Sequence, residues 1–229
     1  MTAIVLLSGG MDSTTVGALA VKNHGAKNVI GLTINYGQRH QKEISSAKKV
    51  AKFLGILLWQ EIVIPDIFKG SDSSLINWRK GVPEKSYAEI QGVSPTYVPF
   101  RNGVLLSSAA AVALSQGADL IYYGAHADDA AEWAYPDCTP EFNGAIGSAI
   151  YVGTYHQVRL IVPFQYLTKA EIVEVGVQLG APFHLTWTCY NGKEKACGKC
   201  SACLSRLEAF SKAGVADPIE YEGGRHACK

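Results

Sequence analysis

The stretch LLSGGMDSTT, residues 6–15, decides how this chain is read. An apolar run ends in two glycines, an aspartate flanked by hydroxyl residues follows, and no lysine stands nearby. A strand that turns sharply at glycine and runs straight into a helix brings backbone N–H groups and the positive end of a helix dipole to the carboxyl edge of a sheet. That is an anion site. Gly9 and Gly10 let the main chain approach an oxygen-rich ligand without a Cβ in the way, and Ser8, Ser13 and Thr14 offer hydroxyls. Asp12 does not bind phosphate directly; its chemistry suits a helix cap or a Mg²⁺ that does. Neither the Walker pattern G-x-x-x-x-G-K-[ST] nor the dinucleotide pattern G-x-G-x-x-G is present in this stretch. A bare strand-to-helix turn is the competing reading, and the position at the first turn of an α/β chain favours phosphate.

Outward from this turn the chain alternates. TAIVLL, NVIGLTINY, ILLWQEIVI, ADLIYYG and VRLIVPF have the composition of buried strands. Asp12 to Asn23, QKEISSAKKVAKFLG, GVLLSSAAAVALSQ, EFNGAIGSAIYVG and TKAEIVEVGVQLG have that of helices. In the last of these, Thr168 as N-cap with Glu171 three residues on forms a capping box, and Gly180 closes the helix. Short alternating strands and helices predict an α/β fold, doubly wound, with a mostly parallel sheet of about five strands. Residues 65–98 and the stretch AHADDAAEWAYPDCTP break the rhythm and read as long loops. The expected division is an α/β nucleotide-binding domain over residues 1–180 and a small metal-binding segment over 181–229.

Twenty-one basic and twenty acidic residues leave a net charge of +1, which gives no field to gather nucleic acid or an anionic membrane. Small-molecule substrates are the expectation. No apolar run approaches the roughly twenty residues of a membrane span, and no basic leader opens the sequence, so the expected location is cytoplasmic. The lysine-rich QKEISSAKKVAK reads as the exposed face of an amphipathic helix.

Six cysteines are present, and Cys189, Cys197, Cys200 and Cys203 crowd into fifteen residues. Two C-x₂-C steps let thiolates converge on a tetrahedral ion, with Gly198 easing the turn. Four sulfurs leave no open coordination position, so a structural Zn²⁺ is preferred to an iron–sulfur cluster, which sulfur chemistry alone does not exclude. Cys138 reads as a buried small apolar side chain and Cys228 as part of a disordered tail. None of the six histidines has metal-ligand spacing or an evident base role, and His40 reads as a solvated or capping side chain.

The residues Ser8-Gly9-Gly10-Met11-Asp12-Ser13 resemble the pyrophosphate-binding loop of the PP-loop ATP pyrophosphatases. NYGQRHQKEI, VPFRNG, YPDCTPEF and LTWTCYNG with CGKCSAC, in that order, are similar to the 7-cyano-7-deazaguanine synthase family within that class. The resemblance implies ATP and Mg²⁺, cleavage between the α and β phosphates, and two adenylations that turn 7-carboxy-7-deazaguanine and ammonia into the nitrile. It also implies a homodimer. Leu7 to Thr14, that is Leu7, Ser8, Gly9, Gly10, Met11, Asp12, Ser13 and Thr14, form the expected pyrophosphate cradle, with Asp12 on the metal side. Arg101 sits before a helix and can neutralise phosphate or simply cap. Tyr36, Gln38 and Arg39 follow the second strand, where open α/β sheets bind ligands, and can equally be polar cap residues. Asp128, Asp129, Glu132 and Asp137 have the chemistry to recognise the N–H groups of a guanine ring, a solvated acidic loop explains the first two as well, and Asp137 is the expected contact. Two other readings stay open: a PP-loop enzyme that thiolates tRNA, and an ATP-sensing module with a metal-bearing docking element.

Overall fold

A computed structural model of the chain describes residues 1–64, 66–85, 89, 92–191 and 194–224. Cys228 lies outside them. Five strands form one parallel sheet: β1 (Ala3–Leu6), β2 (Val29–Asn35), β3 (Leu58–Val63), β4 (Leu120–Tyr122) and β5 (Arg159–Ile161), in the spatial order β3-β2-β1-β4-β5. All four pairings are parallel, with Ala3 opposite both Val29 and Leu120. The expected five-stranded doubly wound sheet is what the chain forms.

Because β1 is flanked on both sides, its residues are apolar at every position, and Ile4 packs on one face while Ala3 and Val5 pack on the other. One face is covered by α3 (Arg101–Gln116) and α5 (Pro140–Gly153), which contribute Leu106, Ala109, Ala113 and Ile150. The opposite face is covered by α1 (Met11–His24), α2 (Lys42–Phe53) and α6 (Lys169–Gln178), through Val16, Ala47, Val50 and Ile172. Each fully buried aliphatic side chain contributes about 1.5–3 kcal/mol, so this two-sided burial dominates the sheet's stability. The capping box at the start of α6 forms, with the Glu171 carboxylate accepting from Thr168 N–H at 2.7 Å.

Chain order reverses direction between β1 and β4. There the carboxyl ends of two neighbouring strands lead into connections on opposite faces and leave a crevice. The glycine turn sits at that crevice. Residues 66–85 do not form a separate unit: Phe68 and Leu75 pack with Tyr36 and Val98, so part of the expected long loop folds back over the end of β2.

The last segment ends in α7 (Ser201–Lys212), which packs against α6, and Phe210 joins Met11, Val173 and Phe183 in one buried cluster. Arg206 lies fully buried in it, paired in two-point fashion with Asp217 at 2.8 and 2.9 Å and bonded also to Thr186 and the Phe183 carbonyl. Tyr221 donates to the same carboxylate at 2.6 Å. No described helix is long and apolar enough to cross a membrane.

Candidate active site

Gly10 is the N-cap of α1 and supplies no side chain, so the first N–H groups of that helix face the crevice. The turn is held from within: Ser8 N–H donates to Ser13 Oγ at 3.2 Å, Gly10 N–H donates to Ser8 Oγ at 3.2 Å, and Ser13 Oγ donates to the Gly10 carbonyl at 3.2 Å. The two glycines have different reasons. Gly9 has φ +91°, and a Cβ there would lie 2.2 Å from the Glu43 carbonyl and 2.7 Å from Ala47 N, so its missing side chain serves the packing of the turn on α2. Gly10 has ordinary backbone angles, and a Cβ there would make only ordinary contacts, with Ser8 Oγ at 3.4 Å, Glu43 Oε1 at 3.8 Å and the Trp187 carbonyl at 4.0 Å, so the packing of the turn does not require glycine at this position.

A single cavity collects the turn and its surroundings, with Leu7, Ser8, Gly10, Met11, Asp12 and Ser13 on its wall. Thr14 is buried just behind them, with its hydroxyl lacking a hydrogen-bond partner. Asp12 Oδ2 lies 3.7 Å from Lys169 Nζ and 3.8 Å from His126 Nε2, and Asp129 Oδ2 lies 3.3 Å from the same imidazole nitrogen. Asp12 Oδ1 is shielded and has no partner. Burial pulls the Lys169 ammonium down, but Asp12, Asp129 and Asp128 outweigh it and hold the group above its ordinary range. Burial likewise pushes the Asp129 carboxyl up, and His126 and Lys169 overcome that and hold it below the usual carboxylate range. Two carboxylates, one cation and one imidazole therefore converge beside the turn, with an unsatisfied carboxylate oxygen available to a divalent cation.

Lys169 and His126 are the residues the sequence reading missed. Lys169 stands inside the capping box, where T-K-A-E explains its neighbours and draws attention from the lysine itself. His126 is buried and N-caps the short α4 (Ala127–Ala130), its Nδ1 accepting from Asp129 N–H at 3.4 Å. Asp129 belongs to the site rather than to a solvated acidic loop, and Asp128 caps α6, accepting from Lys169 N–H at 2.9 Å.

On the other side of the cavity stand Arg101, Tyr36, Gln38, His40 and Glu43. Arg101 donates to the Tyr36 hydroxyl at 3.2 Å and keeps its shielded Nε without a partner. Burial pushes the Tyr36 phenol up, against the pull of Arg101. Gln38 turns back on its own chain, its Oε1 accepting from Tyr36 N–H at 2.9 Å, so it shapes the turn after β2 while lining the wall. His40 is buried, not solvated, and lies 2.8 Å from the Glu43 carboxylate.

Two expected substrate residues are not brought to the cavity wall. Arg39 spends its guanidinium on the carbonyls of Trp78 and Lys80, at 2.8 and 3.1 Å, and so pins the 66–85 loop. Asp137 is buried and accepts from Asn102 N–H at 2.9 Å, which makes it a remote cap for α3, whose own N-cap, Phe100, is left-handed and offers no side-chain acceptor. Burial pushes its carboxyl up, against the Asn102 N–H and Arg101. Glu132 is exposed and lies off the wall as well. Cys138 lies against Asn102 and Tyr123, and burial pushes its thiol far up, as the reading of a buried small side chain requires.

The four cysteines of the last segment bring their sulfurs within 4.8 Å of one another, all buried. Tetrahedral binding at about 2.3 Å needs sulfurs about 3.8 Å apart, and Cys197 and Cys203 stand at 3.9 Å. Backbone N–H groups of Lys199 and Cys200 point at Cys197 Sγ, at 3.4 and 3.3 Å, with Gly198 at φ +66° between. Hydrogen bonds from Cys200 and Cys203 hold the Cys189 thiol well below its ordinary range, toward the thiolate that metals take. This donor set fits a soft or borderline metal ion. The segment also reaches the cavity, whose wall includes Thr188, Tyr190 and Ala202.

A five-stranded parallel sheet with an anion-binding S-G-G-x-D-S turn at its switch point defines a nucleotide-binding α/β protein of the PP-loop class. Two solved structures share the architecture: a U34-tRNA thiolase, NcsA, from Methanococcus maripaludis with a 4Fe-4S cluster (TM-score 0.52, 18% identity, 80% of this chain and 58% of that one) and an NMN synthetase from Francisella tularensis (TM-score 0.51, 16% identity, 93% and 77%). At such identities the likeness concerns the fold alone. The chain belongs to the family described as queuosine biosynthesis protein QueC, whose model matches residues 2–214. It is 44% identical over 219 residues to the 7-cyano-7-deazaguanine synthase of Pseudoalteromonas atlantica, covering 96% of this chain and 98% of that one. It is 44% identical over 225 residues to the protein of that name from Thermoplasma acidophilum, covering 96% and 92%.

Proposed function

We propose that this chain is an ATP-dependent synthase that converts 7-carboxy-7-deazaguanine and ammonia into 7-cyano-7-deazaguanine, the nitrile used in queuosine and archaeosine biosynthesis. The observation that carries the reading is 44% identity, over 96% of the chain, to proteins named for that product. The chemistry of the cavity supports it. A carboxylate does not accept ammonia until one oxygen becomes a good leaving group, and adenylation supplies that. The carboxylate oxygen attacks the α-phosphorus of ATP and pyrophosphate leaves. Ammonia then displaces AMP to give the amide. The amide oxygen attacks the α-phosphorus of a second ATP, a second pyrophosphate leaves, and loss of AMP and two protons then gives the nitrile.

The residues divide this work. The turn from Leu7 to Thr14 holds the departing pyrophosphate through the amides and hydroxyls that its own hydrogen bonds leave free, and Lys169 with Arg101 places positive charge where negative charge develops. Asp12, through its unpartnered Oδ1, and Asp129 would hold Mg²⁺, which offsets charge on the phosphates. Tyr36 and Gln38 form the wall against which the deazapurine lies. Cys189, Cys197, Cys200 and Cys203 hold one structural Zn²⁺. The reading includes a homodimer in the cytoplasm, acting on small molecules without direct contact with nucleic acid.

The test is product analysis with labelled ATP. AMP and pyrophosphate that appear only with the deazaguanine acid and ammonium bear the proposal out. ADP with orthophosphate overturns it, and AMP release driven by tRNA alone favours a tRNA-modifying enzyme instead.

A further inference from the structure

We propose that Thr188 is a further phosphate contact of the cavity, and that Arg206 is the positioning residue that makes its hydroxyl a donor; the inference rests on the reading of the glycine turn as a nucleotide site. A guanidinium carries five N–H donors and accepts nothing. In Arg206 every one of them is placed. Nε and Nη2 donate to the two oxygens of Asp217 at 2.8 and 2.9 Å, and Nη2 donates also to the Phe183 carbonyl at 3.3 Å. Nη1 donates to Thr186 Oγ1 at 2.6 Å and to Thr188 Oγ1 at 3.3 Å. Both threonine oxygens therefore accept from the cation, and each hydroxyl proton must point elsewhere. Thr186 gives its proton to the Phe183 carbonyl at 2.7 Å, and Tyr221 gives its own to Asp217 at 2.6 Å. Among the described residues, nothing takes the proton of Thr188.

Its place in the fold says what does. Arg206 is wholly buried, whereas Thr188 is only partly so and stands on the cavity wall. The residue before it lies against the glycine turn: Trp187 N–H donates to the Gly9 carbonyl at 2.9 Å, and the Trp187 carbonyl lies 4.0 Å from where a Cβ on Gly10 would stand. An ordinary hydroxyl turns to donate or to accept, but this one has a single sense. An ionised phosphate, whose oxygens accept and never donate, is the group that matches a fixed donor beside an anion-binding turn. The carboxylate of the acid offers the same accepting oxygens, and the experiment tells the two sources apart.

Titrations of the whole protein with Mg²⁺ and either ATP or inorganic pyrophosphate read the phosphate contact, and the KM for the deazaguanine acid at saturating ATP reads the acid. Thr188→Val keeps the shape of the side chain and removes the hydroxyl. Affinity for ATP and for pyrophosphate is expected to fall by about 10- to 100-fold, as for one hydrogen bond to a charged group, with the acid KM within about threefold of the parent. Thr188→Ser keeps the hydroxyl and is expected to stay within about threefold for every ligand. Valine also strands one N–H of Arg206, so Thr188→Ala, which leaves room for a water to accept it, carries the same expected loss if the valine variant does not fold. Unchanged phosphate affinity, an equal loss for ATP and acid, or a loss confined to the acid overturns the contact. With Arg206→Met and Asp217→Leu combined, the hydroxyl turns freely, and Thr188→Val is expected to cost at least about threefold less in affinity than in the parent; an equal cost overturns the role of Arg206. An unaltered protein that binds neither ATP nor pyrophosphate overturns the nucleotide reading itself.

Discussion

The backbone N–H of Trp187 donates to the carbonyl of Gly9 at 2.9 Å, and the indole N–H of the same residue donates to the carbonyl of Cys189 at 2.9 Å. One residue, through its main chain and its indole, therefore ties the glycine turn to a cysteine of the four-sulfur cluster. Lys42 adds to the clamp, its ammonium 3.5 Å from the centre of the Trp187 ring. The cysteine cluster and the glycine turn are thus joined directly through Trp187.

Removal of the metal by a chelator is expected to open amide protons in the cysteine segment first and then to weaken nucleotide binding. Loss of a net hydrogen bond to the turn corresponds to about threefold to tenfold in affinity. Hydrogen exchange and a nucleotide titration on the same sample check it, and unchanged affinity after complete metal loss refutes the coupling. Metal analysis should return one zinc per chain, whereas an iron–sulfur cluster would reveal itself by colour and by iron content.

The two glycines should separate fold from function. Gly9→Ala forces a Cβ onto the Glu43 carbonyl and Ala47 N at φ +91°, and the expected loss of stability is at least about 3 kcal/mol, read from the denaturation midpoint. Gly10→Ala meets nothing nearer than Ser8 Oγ at 3.4 Å. It should fold within about 1 kcal/mol of the parent and lose nucleotide binding, because its methyl group occupies the space beside the turn.

Asp12→Ala should abolish turnover with circular dichroism and metal content intact. Lys169→Met keeps the length of the side chain and removes its charge, and turnover should fall by roughly 10²–10³-fold. Retained turnover in either variant would remove that residue from phosphate or metal binding.

The acidic limb of the stability profile follows from Asp129. Its folded carboxyl lies below the unfolded value, so the stability it contributes is complete above the unfolded carboxylate pKa, about 4, and drains away as pH falls through the folded value. Lys169 acts at the other end, since a raised ammonium contributes fully below its unfolded pKa, about 10.4, and less as pH climbs through the folded value. The gap between the denaturation midpoints of Asp129→Asn and the parent should close as pH falls through the folded value of this carboxyl, and a gap that does not narrow on acidification refutes this account.

Arg206 and Asp217 are wholly buried partners, and removing one leaves the other charged without compensation. Arg206→Met should cost about 3–5 kcal/mol, whereas replacing both with apolar residues should recover most of it. Thermal unfolding of the single and double variants gives the comparison.

What the amino-acid order determined here is local in nature. Five apolar runs separated by helical periods, the glycine turn, the Thr168 capping box and the two C-x₂-C steps are all set by residues within one turn or strand of each other, and all appear in the folded chain. Burial and partnership across the chain were decided only by tertiary structure. Asp137 looked available and became the cap of a helix that begins 36 residues earlier, and Arg39 looked free and became the pin of a loop. His126 and Lys169 looked ordinary, and closure of the sheet set both beside Asp12. The reason is physical: a side chain's charge and hydrogen bonds are chosen by whichever groups the packed core brings within about 4 Å, and sequence spacing carries no record of those distances.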